Sequence, residues 1–233
     1  KDADIDKIGK NKEISSLKKI IGLKHGVEYS NNCNVWPLRY GKVMIMTDQD
    51  CDGSHIKGLI MNLVHTFWPS LLEIDFITSL ITPIIKVTKG KQVKSFYNIS
   101  DYEKWKKANK NGKGWHIKYY KGLGTSTSKE AKEYFRNLKL VEYNWNKESS
   151  NKALHLAFNK KKADDRKVWL QGYNKDEILD SNKINVNYEE FIEKELKHFS
   201  NMDLNRSIPS ICDGFKPSQR KVMFSCFKRK LTK

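Results

Sequence analysis

Three aspartates stand at every second position in the stretch IMTDQDCDGSH, residues 45–55: Asp48, Asp50 and Asp52. Carboxylates this close together raise one another's pKa unless a cation neutralises them. Oxygen ligands on a short loop suit a hard divalent ion. Mg²⁺ typically takes one or two carboxylates, while waters and substrate phosphates complete its shell. The motif therefore predicts a metal site for phosphate chemistry.

Two other interpretations of the aspartates remain open. An EF-hand calcium loop begins with the same D-x-D-x-D-G spacing, but its twelfth position carries a bidentate Glu, which here is Leu59. A helix also precedes that loop, whereas an apolar run at residues 43–46 precedes this one. Alternatively, the aspartates form a solvated turn that caps a helix, since Asp and Ser are favoured at helix N-termini. Capping requires one such residue and not three.

The elements around the loop place it at the edge of a sheet. Residues 43–46, Val-Met-Ile-Met, are typical of a buried strand. After the loop, apolar residues recur at helical spacing from Ile56 to Phe67, and the stripe stops before Pro69. Open α/β sheets bind ligands at the carboxyl ends of their strands, which is the predicted position of the aspartates.

Further strands and helices are predicted along the rest of the chain. They are a helix at residues 14–21, a hairpin of residues 81–87 and 93–99 around Gly90, a strand at residues 115–120, a charged helical linker at residues 151–184, and helices at residues 188–199 and from Pro217.

A second motif, KGLGTSTSKE at residues 121–130, follows the strand predicted at residues 115–120. Thr127 and Glu130 have the spacing of a capping box for a following helix. Backbone amides at a helix start attract anions, so the loop can bind phosphate. The alternative is a tight strand-to-helix turn with a good cap. The motif is not a Walker loop, because no Gly-Lys-Ser/Thr ends it.

The composition favours a polyanionic partner. Among 233 residues, 44 Lys and Arg oppose 27 Asp and Glu, which leaves a formal net charge of +17. Nucleic acid is preferred to a membrane surface, since no apolar stretch approaches the ~20 residues of a spanning helix. Cys33, Cys51, Cys212 and Cys226 lack C-x-x-C spacing, so neither a zinc site nor a disulfide framework is indicated, and a reducing compartment fits.

The C-terminal stretch is strongly basic. Residues 206–233 hold eight Lys or Arg and a single acid, Asp213. This density suggests a phosphate-binding surface. A helix starting at Pro217 would present Arg220 and Lys221 at its beginning. The alternative is an ordinary solvated basic helix.

Five stretches together resemble a eukaryotic-type DNA topoisomerase II, in the family's order, from about Ile14 to the end. They are YGKVMIMTDQDCDGSHIKGLIMNLV, FITPIIKV, YYKGLGTSTSKEAKEYF, AFNKKKADDRKVWL and NRSIPSICDGFKPSQRKVMF. The resemblance implies an α/β fold, a TOPRIM Rossmann-like parallel sheet with flanking helices followed by a mainly helical segment. It assigns residues 1–150 to most of the TOPRIM domain, 151–184 to a helical linker and 185–233 to the start of the breakage-rejoining (winged-helix) region.

The resemblance also implies an activity. Such enzymes depend on ATP, cleave duplex DNA through a phosphotyrosine link, pass another duplex and rejoin the break. Mg²⁺ would be held by Asp48 and Asp50 with Asp52 in support, and Mn²⁺ or Ca²⁺ can replace it in binding. Arg206 would stabilise the scissile phosphate. The residues implied to contact double-stranded DNA are Lys121, Lys216, Gln219, Arg220 and Lys221.

Three parts of the family's pattern are absent from this sequence: the first metal-binding Glu in an E-G-D motif, the ATPase module and the nucleophilic tyrosine. The fragment alone is therefore expected to bind no ATP and to be inactive. The family implies a nuclear homodimer without membrane contact. A TOPRIM primase or nuclease, or a DNA-binding module with structural Mg²⁺, is the alternative. The motif KGLGTSTSKEAKEYF favours a topoisomerase over a primase.

Overall fold

The computed structural model describes residues 5–29, 38–120, 122–180 and 182–231. The helices are α1 (Ile5–Lys10), α2 (Lys12–Ile21), α3 (Cys51–Phe67), α4 (Ile99–Ala108), α5 (Ser128–Arg136), α6 (Lys147–Phe158), α7 (Ala163–Gln171), α8 (Tyr188–Phe191), α9 (Lys197–Ser207) and α10 (Pro217–Lys228). The strands are β1 (Val43–Ile45), β2 (Ile77–Leu80), β3 (Ile85–Lys89), β4 (Gln92–Phe96), β5 (His116–Tyr119), β6 (Leu140–Asn144) and β7 (Asn185–Asn187). None of the helices in these ranges is both long and apolar enough to cross a membrane.

Four strands form the main sheet, in the order β1-β2-β6-β7. The pairs β1–β2 and β6–β7 are parallel, whereas β2–β6 is antiparallel. All four residues of β2 are buried, as expected for a central strand covered on both faces. The predicted α/β class is confirmed, and the sheet is mixed rather than wholly parallel.

The main core lies between this sheet and the helices packed on it. Trp68 at the end of α3, Leu154 of α6 and Phe191 of α8 are all buried in it. Because α6 belongs to this core and β7 to the main sheet, the packing continues across both proposed domain boundaries. The division into TOPRIM domain, linker and breakage-rejoining region stays a prediction.

A second sheet, in the order β4-β3-β5, forms a small lobe with α4. Its apolar face packs on α4 through Ile85, Val87, Phe96, Tyr102 and Trp105. Its other face carries Lys86 and Lys118, which form ion pairs with Glu133 and Glu130 of α5. Helix α5 is therefore attached to the lobe by charged contacts as well as by the chain.

The hairpin predicted around Gly90 is confirmed, since β3 and β4 pair antiparallel. The strand predicted at residues 81–87 is wrong in its first half, because residues 81–84 separate β2 from β3. Pro83 lies in that interval, and proline cannot donate a hydrogen bond to a strand ladder. Strand β2, Ile77–Leu80, was not predicted, since its apolar residues run directly into those that follow.

The helix ends follow their capping residues. Helix α2 ends at Gly22, whose φ of 88° lies in the left-handed region that favours glycine, as predicted. Helix α10 begins at Pro217, also as predicted. Helix α3 begins at Cys51, five residues before the first residue of the apolar stripe, Ile56. The predicted start was wrong because it followed the stripe and not the cap.

One long helical stretch combines three segments. Helix α8 runs into Ile192–Leu196, which is π-helical, and this continues directly into α9. Ile192 and Leu196 are buried against the core. Leu196 side-chain atoms would lie 3.2 Å from a Cβ built on Gly58, so this glycine lets α3 approach the π-helical turn closely.

Candidate functional site

Asp48 follows strand β1 and lies against the second motif. The Leu123 N–H donates a hydrogen bond to Asp48 Oδ1 at 2.8 Å. A Cβ on Gly122 would lie 2.5 to 2.7 Å from Asp48 Oδ2, Cγ and Oδ1, closer than Cβ contacts allow. The φ of Gly122 is 173°, which any residue adopts, so the glycine is required for space and not for backbone conformation. The two motifs that were separate in the sequence therefore form one site.

Asp50 caps helix α3. The Gly53 N–H donates to Asp50 Oδ1 at 2.7 Å, which satisfies one of the amides that a helix start leaves unpaired. Gly53 allows the loop to fold tightly over this turn, since a Cβ there would lie 1.9 Å from the Asp48 carbonyl oxygen. The capping interpretation is thus correct for one of the three aspartates.

Asp52 forms an ion pair with Arg206. Its two carboxylate oxygens accept hydrogen bonds from Arg206 Nη2 at 2.6 Å and Nη1 at 2.9 Å. These hydrogen bonds lower the pKa of Asp52 and, together with those to Asp203, raise the pKa of Arg206. About half of each side chain is exposed, so the pair remains in contact with solvent. It places the predicted phosphate-binding arginine at the acidic loop.

A buried polar cluster fixes α3 to the π-helical turn. Ser54 Oγ donates to Glu195 Oε1 at 2.7 Å and lies 3.2 Å from the Asp50 carbonyl oxygen. Lys57 forms an ion pair with the same Glu195 oxygen, and the Lys57 side chain is only 8% exposed. The cluster joins the first turns of α3 to the helix that carries Arg206. Nothing in the sequence pattern had pointed to Glu195.

Glu130 holds both ends of the glycine loop. It accepts hydrogen bonds from Lys118 Nζ at 2.9 and 3.0 Å and from the Thr127 N–H at 2.7 Å, and a further one from the Tyr120 hydroxyl. The predicted capping box of Thr127 and Glu130 is confirmed. The loop that presents Leu123 to Asp48 is therefore tied to one carboxylate on either side.

These contacts change the titration of Glu130 and Tyr120. Partial burial acts to raise the pKa of Glu130, but hydrogen bonds from Thr127, Tyr120 and Lys118 outweigh it and lower the pKa from 4.5 to about 2. Burial and the Glu130 carboxylate raise the pKa of Tyr120. A phenol that is this difficult to deprotonate is a poor nucleophile, so Tyr120 is unsuited to attack a phosphodiester.

Glu130→Gln is expected to change how stability depends on pH. The pKa of Glu130 is lower in the folded chain than in the unfolded chain, so its contribution is complete above about pH 4.5 and is lost as pH falls toward 2. The glutamine variant does not titrate, so the stability difference between wild type and variant should narrow over that window. Urea unfolding at several pH values measures it. A constant difference from pH 5 to pH 2 would contradict the assignment.

The start of α10 is organised by residues predicted to contact DNA. Arg220 donates to both oxygens of Asp213, at 2.7 Å each, and these hydrogen bonds lower the pKa of Asp213 to about 2. Gln219 Oε1 accepts from the Lys216 N–H at 2.9 Å, which caps the helix. Arg220 and Gln219 therefore shape the turn before α10.

The remaining predicted DNA contacts are placed differently. Lys221 lies in the first turn of α10, and its side chain is exposed. Lys121 lies outside the described residues, between Tyr120 and Gly122. The assignment of DNA contacts to all five residues stays a prediction.

The donor set fits a hard cation at two of the three aspartates. The described contacts engage one oxygen each of Asp48 and Asp50, whereas Arg206 engages both oxygens of Asp52. Two carboxylates match the preference of Mg²⁺. Within the described ranges, no group of three or more His, Cys, Asp or Glu side chains is arranged to hold an ion. The three-aspartate ligand set stays a prediction.

A cavity of about 890 Å³ lies away from this site. Its lining includes His65, Trp145, Asn151 and His155, and none of the predicted site residues. His65 Nε2 lies 2.6 Å from Asn151 Oδ1, and burial lowers the pKa of His65. These are contacts of α3 with α6, and they have no connection to the acidic loop.

Known proteins contain the same segment. Residues 80–204, more than half of the chain, match the family model of the C-terminal associated domain of TOPRIM, and residues 206–233 match a family model of DNA gyrase/topoisomerase IV. Over 98% of its length the chain is 53% identical to DNA topoisomerase 2 of Arabidopsis thaliana and 47% identical to DNA topoisomerase 2-alpha of Homo sapiens. The chain belongs to the type II DNA topoisomerase family. The predicted resemblance is thereby confirmed.

A solved topoisomerase structure has the same fold. The DNA-binding, cleavage and re-ligation domain of Plasmodium falciparum topoisomerase II superposes on the whole chain with a TM-score of 0.86 and 46% sequence identity, and the match covers 32% of that structure. The chain spans 16% of the length of the two curated relatives. It therefore corresponds to one segment of a type II topoisomerase.

Proposed function

We propose that the chain is the Mg²⁺-binding segment of an ATP-dependent type II topoisomerase, which cleaves and rejoins duplex DNA through a phosphotyrosine link to pass another duplex. The observation that carries this proposal is the meeting of the acidic and glycine motifs at Asp48. The relatives named above are DNA topoisomerases, and the solved structure is described as a DNA-binding, cleavage and re-ligation domain.

Asp48 and Asp50 would hold Mg²⁺, which on binding would stabilise negative charge on the phosphate and the leaving oxygen. The Leu123 N–H fixes the orientation of the Asp48 carboxylate, and Gly122 leaves room for it. Outer contacts of this kind orient a metal ligand before the ion binds. The chain therefore supplies a preset carboxylate beside the start of a helix.

Arg206 would bind the scissile phosphate. Its guanidinium fork matches carboxylate and phosphate oxygens equally well, so a phosphate can take the place of Asp52. The Asp52–Arg206 pair is exposed, and such pairs contribute little to stability. We assign Asp52 the role of holding Arg206 beside the acidic loop until DNA binds.

Double-stranded DNA would continue along Lys216 and Lys221 of the α10 region, with Lys121 on the glycine loop. Lys221 is exposed on the first turn of α10, where a phosphate can reach it. We place the whole enzyme in the nucleus as a homodimer, with ATP bound by another part of it.

Asp48→Ala is expected to weaken Mn²⁺ binding at least about tenfold, because it removes a proposed metal ligand. Mn²⁺ has the advantage that its binding is measured directly by water-proton relaxation. Asp164→Ala is the matched control, because Asp164 is also exposed but lies on α7 in a pair with Lys167. Equal Mn²⁺ affinity of wild type and Asp48→Ala would remove the metal-site assignment.

A further inference from the structure

The small lobe carries nearly half of the net charge of the chain. Residues 85–119 contain ten lysines and only two acids, Asp101 and Glu103, a formal net charge of +8 out of +17. Lys86 and Lys118 form ion pairs with α5, and Lys106 lies 3.9 Å from Glu103. The other lysines of the lobe are exposed. The C-terminal basic stretch does not account for this second concentration of charge.

Chain topology places several of these lysines at one end of the lobe. Lys89 ends β3 and pairs with Gln92 across the hairpin, so Lys91 lies in the turn itself. Strand β5 starts beside Thr88, which puts the residues just before His116 next to the same turn. Accordingly, Lys89 Nζ lies 6.0 Å from the centre of the Trp115 ring.

The end of α4 returns to this same place. A Cβ on Gly112 would lie 3.3 Å from Ile117 Cδ1, which places the turn at residues 110–114 against the start of β5. Lys110 and Asn111 have φ values of 49° and 55°, in the left-handed region that non-glycine residues adopt at a cost. Lys110 and Lys113 are exposed on this turn.

We infer that these four residues, here called the lysine tip (Lys89, Lys91, Lys110 and Lys113), bind the phosphate backbone of duplex DNA. Strand β3 separates the tip from the end of the lobe that leads into the glycine loop by about 13 Å, at about 3.3 Å per residue. The tip would thus contact phosphates away from those at Asp48. Lysines act as flexible point charges, so the contact would not read base sequence. The inference rests on the proposed function in taking DNA as the polyanion.

The salt dependence of DNA binding tests the lysine tip. Replacing all four tip lysines by Gln should lower the slope of log affinity against log salt by about 1.8 or more, if at least two contact phosphates at about 0.9 each. The charge-matched control replaces four exposed lysines on other elements, Lys12, Lys19, Lys147 and Lys175, by Gln. It should leave the slope nearly unchanged. Fluorescence anisotropy with a labelled duplex measures all three proteins.

A second measurement uses the wild-type chain alone. Acetylation of lysines followed by mass spectrometry should show that duplex DNA protects the four tip lysines and not the four control lysines. Equal slopes for tip and control variants, or no protection at the tip, would overturn the inference while the proposed function stands. Failure of the wild-type chain to bind duplex at low salt would overturn both.

Discussion

Gly53→Ala is expected to destabilise the chain by about 3 kcal/mol and to disorder the acidic loop. The added Cβ would lie 1.9 Å from the Asp48 carbonyl oxygen and 3.1 Å from Thr47 Oγ1. Backbone atoms cannot rotate away as a side chain can, so the loop or the first turn of α3 must move. Since this movement would carry Asp48 away from Leu123, Mn²⁺ binding should weaken together with stability. Urea unfolding and Mn²⁺ relaxation measure the two effects.

Gly9→Ala provides the matched control, because Gly9 is also helical and nothing lies within 4 Å of a Cβ built there. Alanine is favoured over glycine inside a helix by about 1 kcal/mol, so this variant should be as stable as wild type or slightly more stable. If Gly53→Ala were also neutral, the loop would not pack on α3 as described.

Lys57→Met is expected to cost about 3 to 5 kcal/mol, because it leaves the Glu195 carboxylate without its cation in a largely buried place. Replacing both residues, as Lys57→Met with Glu195→Leu, should recover most of this loss, since a buried ion pair is often no better than apolar side chains of similar volume. Urea unfolding of the wild type, both single variants and the double variant gives the coupling between the two side chains.

Lys152→Met serves as the comparison for an exposed pair. Lys152 and Glu148 are four residues apart on a helix and form an ion pair at 2.7 Å, but both side chains are largely exposed. Solvent screens such a pair, so its loss should change stability little. The burial argument for Lys57 is contradicted if the two lysine substitutions have equal effects, or if the double variant is no more stable than Lys57→Met.

Local chemistry in the sequence was sufficient to predict several features. The apolar run before Asp48 located the strand, because an aspartate-rich loop cannot continue a buried segment. Gly90 located the hairpin, and the spacing of Thr127 and Glu130 located the start of α5. Each of these features depends on residues close together in the chain, and their periodicity or capping chemistry is visible without the fold.

Features that depend on distant residues were not predictable in this way. Asp52 and Arg206 are 154 residues apart, and nothing in the neighbourhood of either identifies the other as its partner. The same holds for Ser54 and Glu195. The metal interpretation of the aspartates considered them as one set, whereas the fold directs their side chains to different partners. Asp48 contacts the glycine loop, and Asp50 caps the helix beside it.

The π-helical turn at Ile192–Leu196 also bears on how this region can vary among species. A π-helical turn amounts to one residue inserted into an α-helix, and each residue rotates the helix by about 100°. Deleting a single codon there would restore regular α-helix and turn Arg206 away from Asp52 by about that angle. The gene can change many bases in this stretch without harm to the helix, yet it cannot change its length. Insertions and deletions between homologous genes should therefore fall outside residues 188–207.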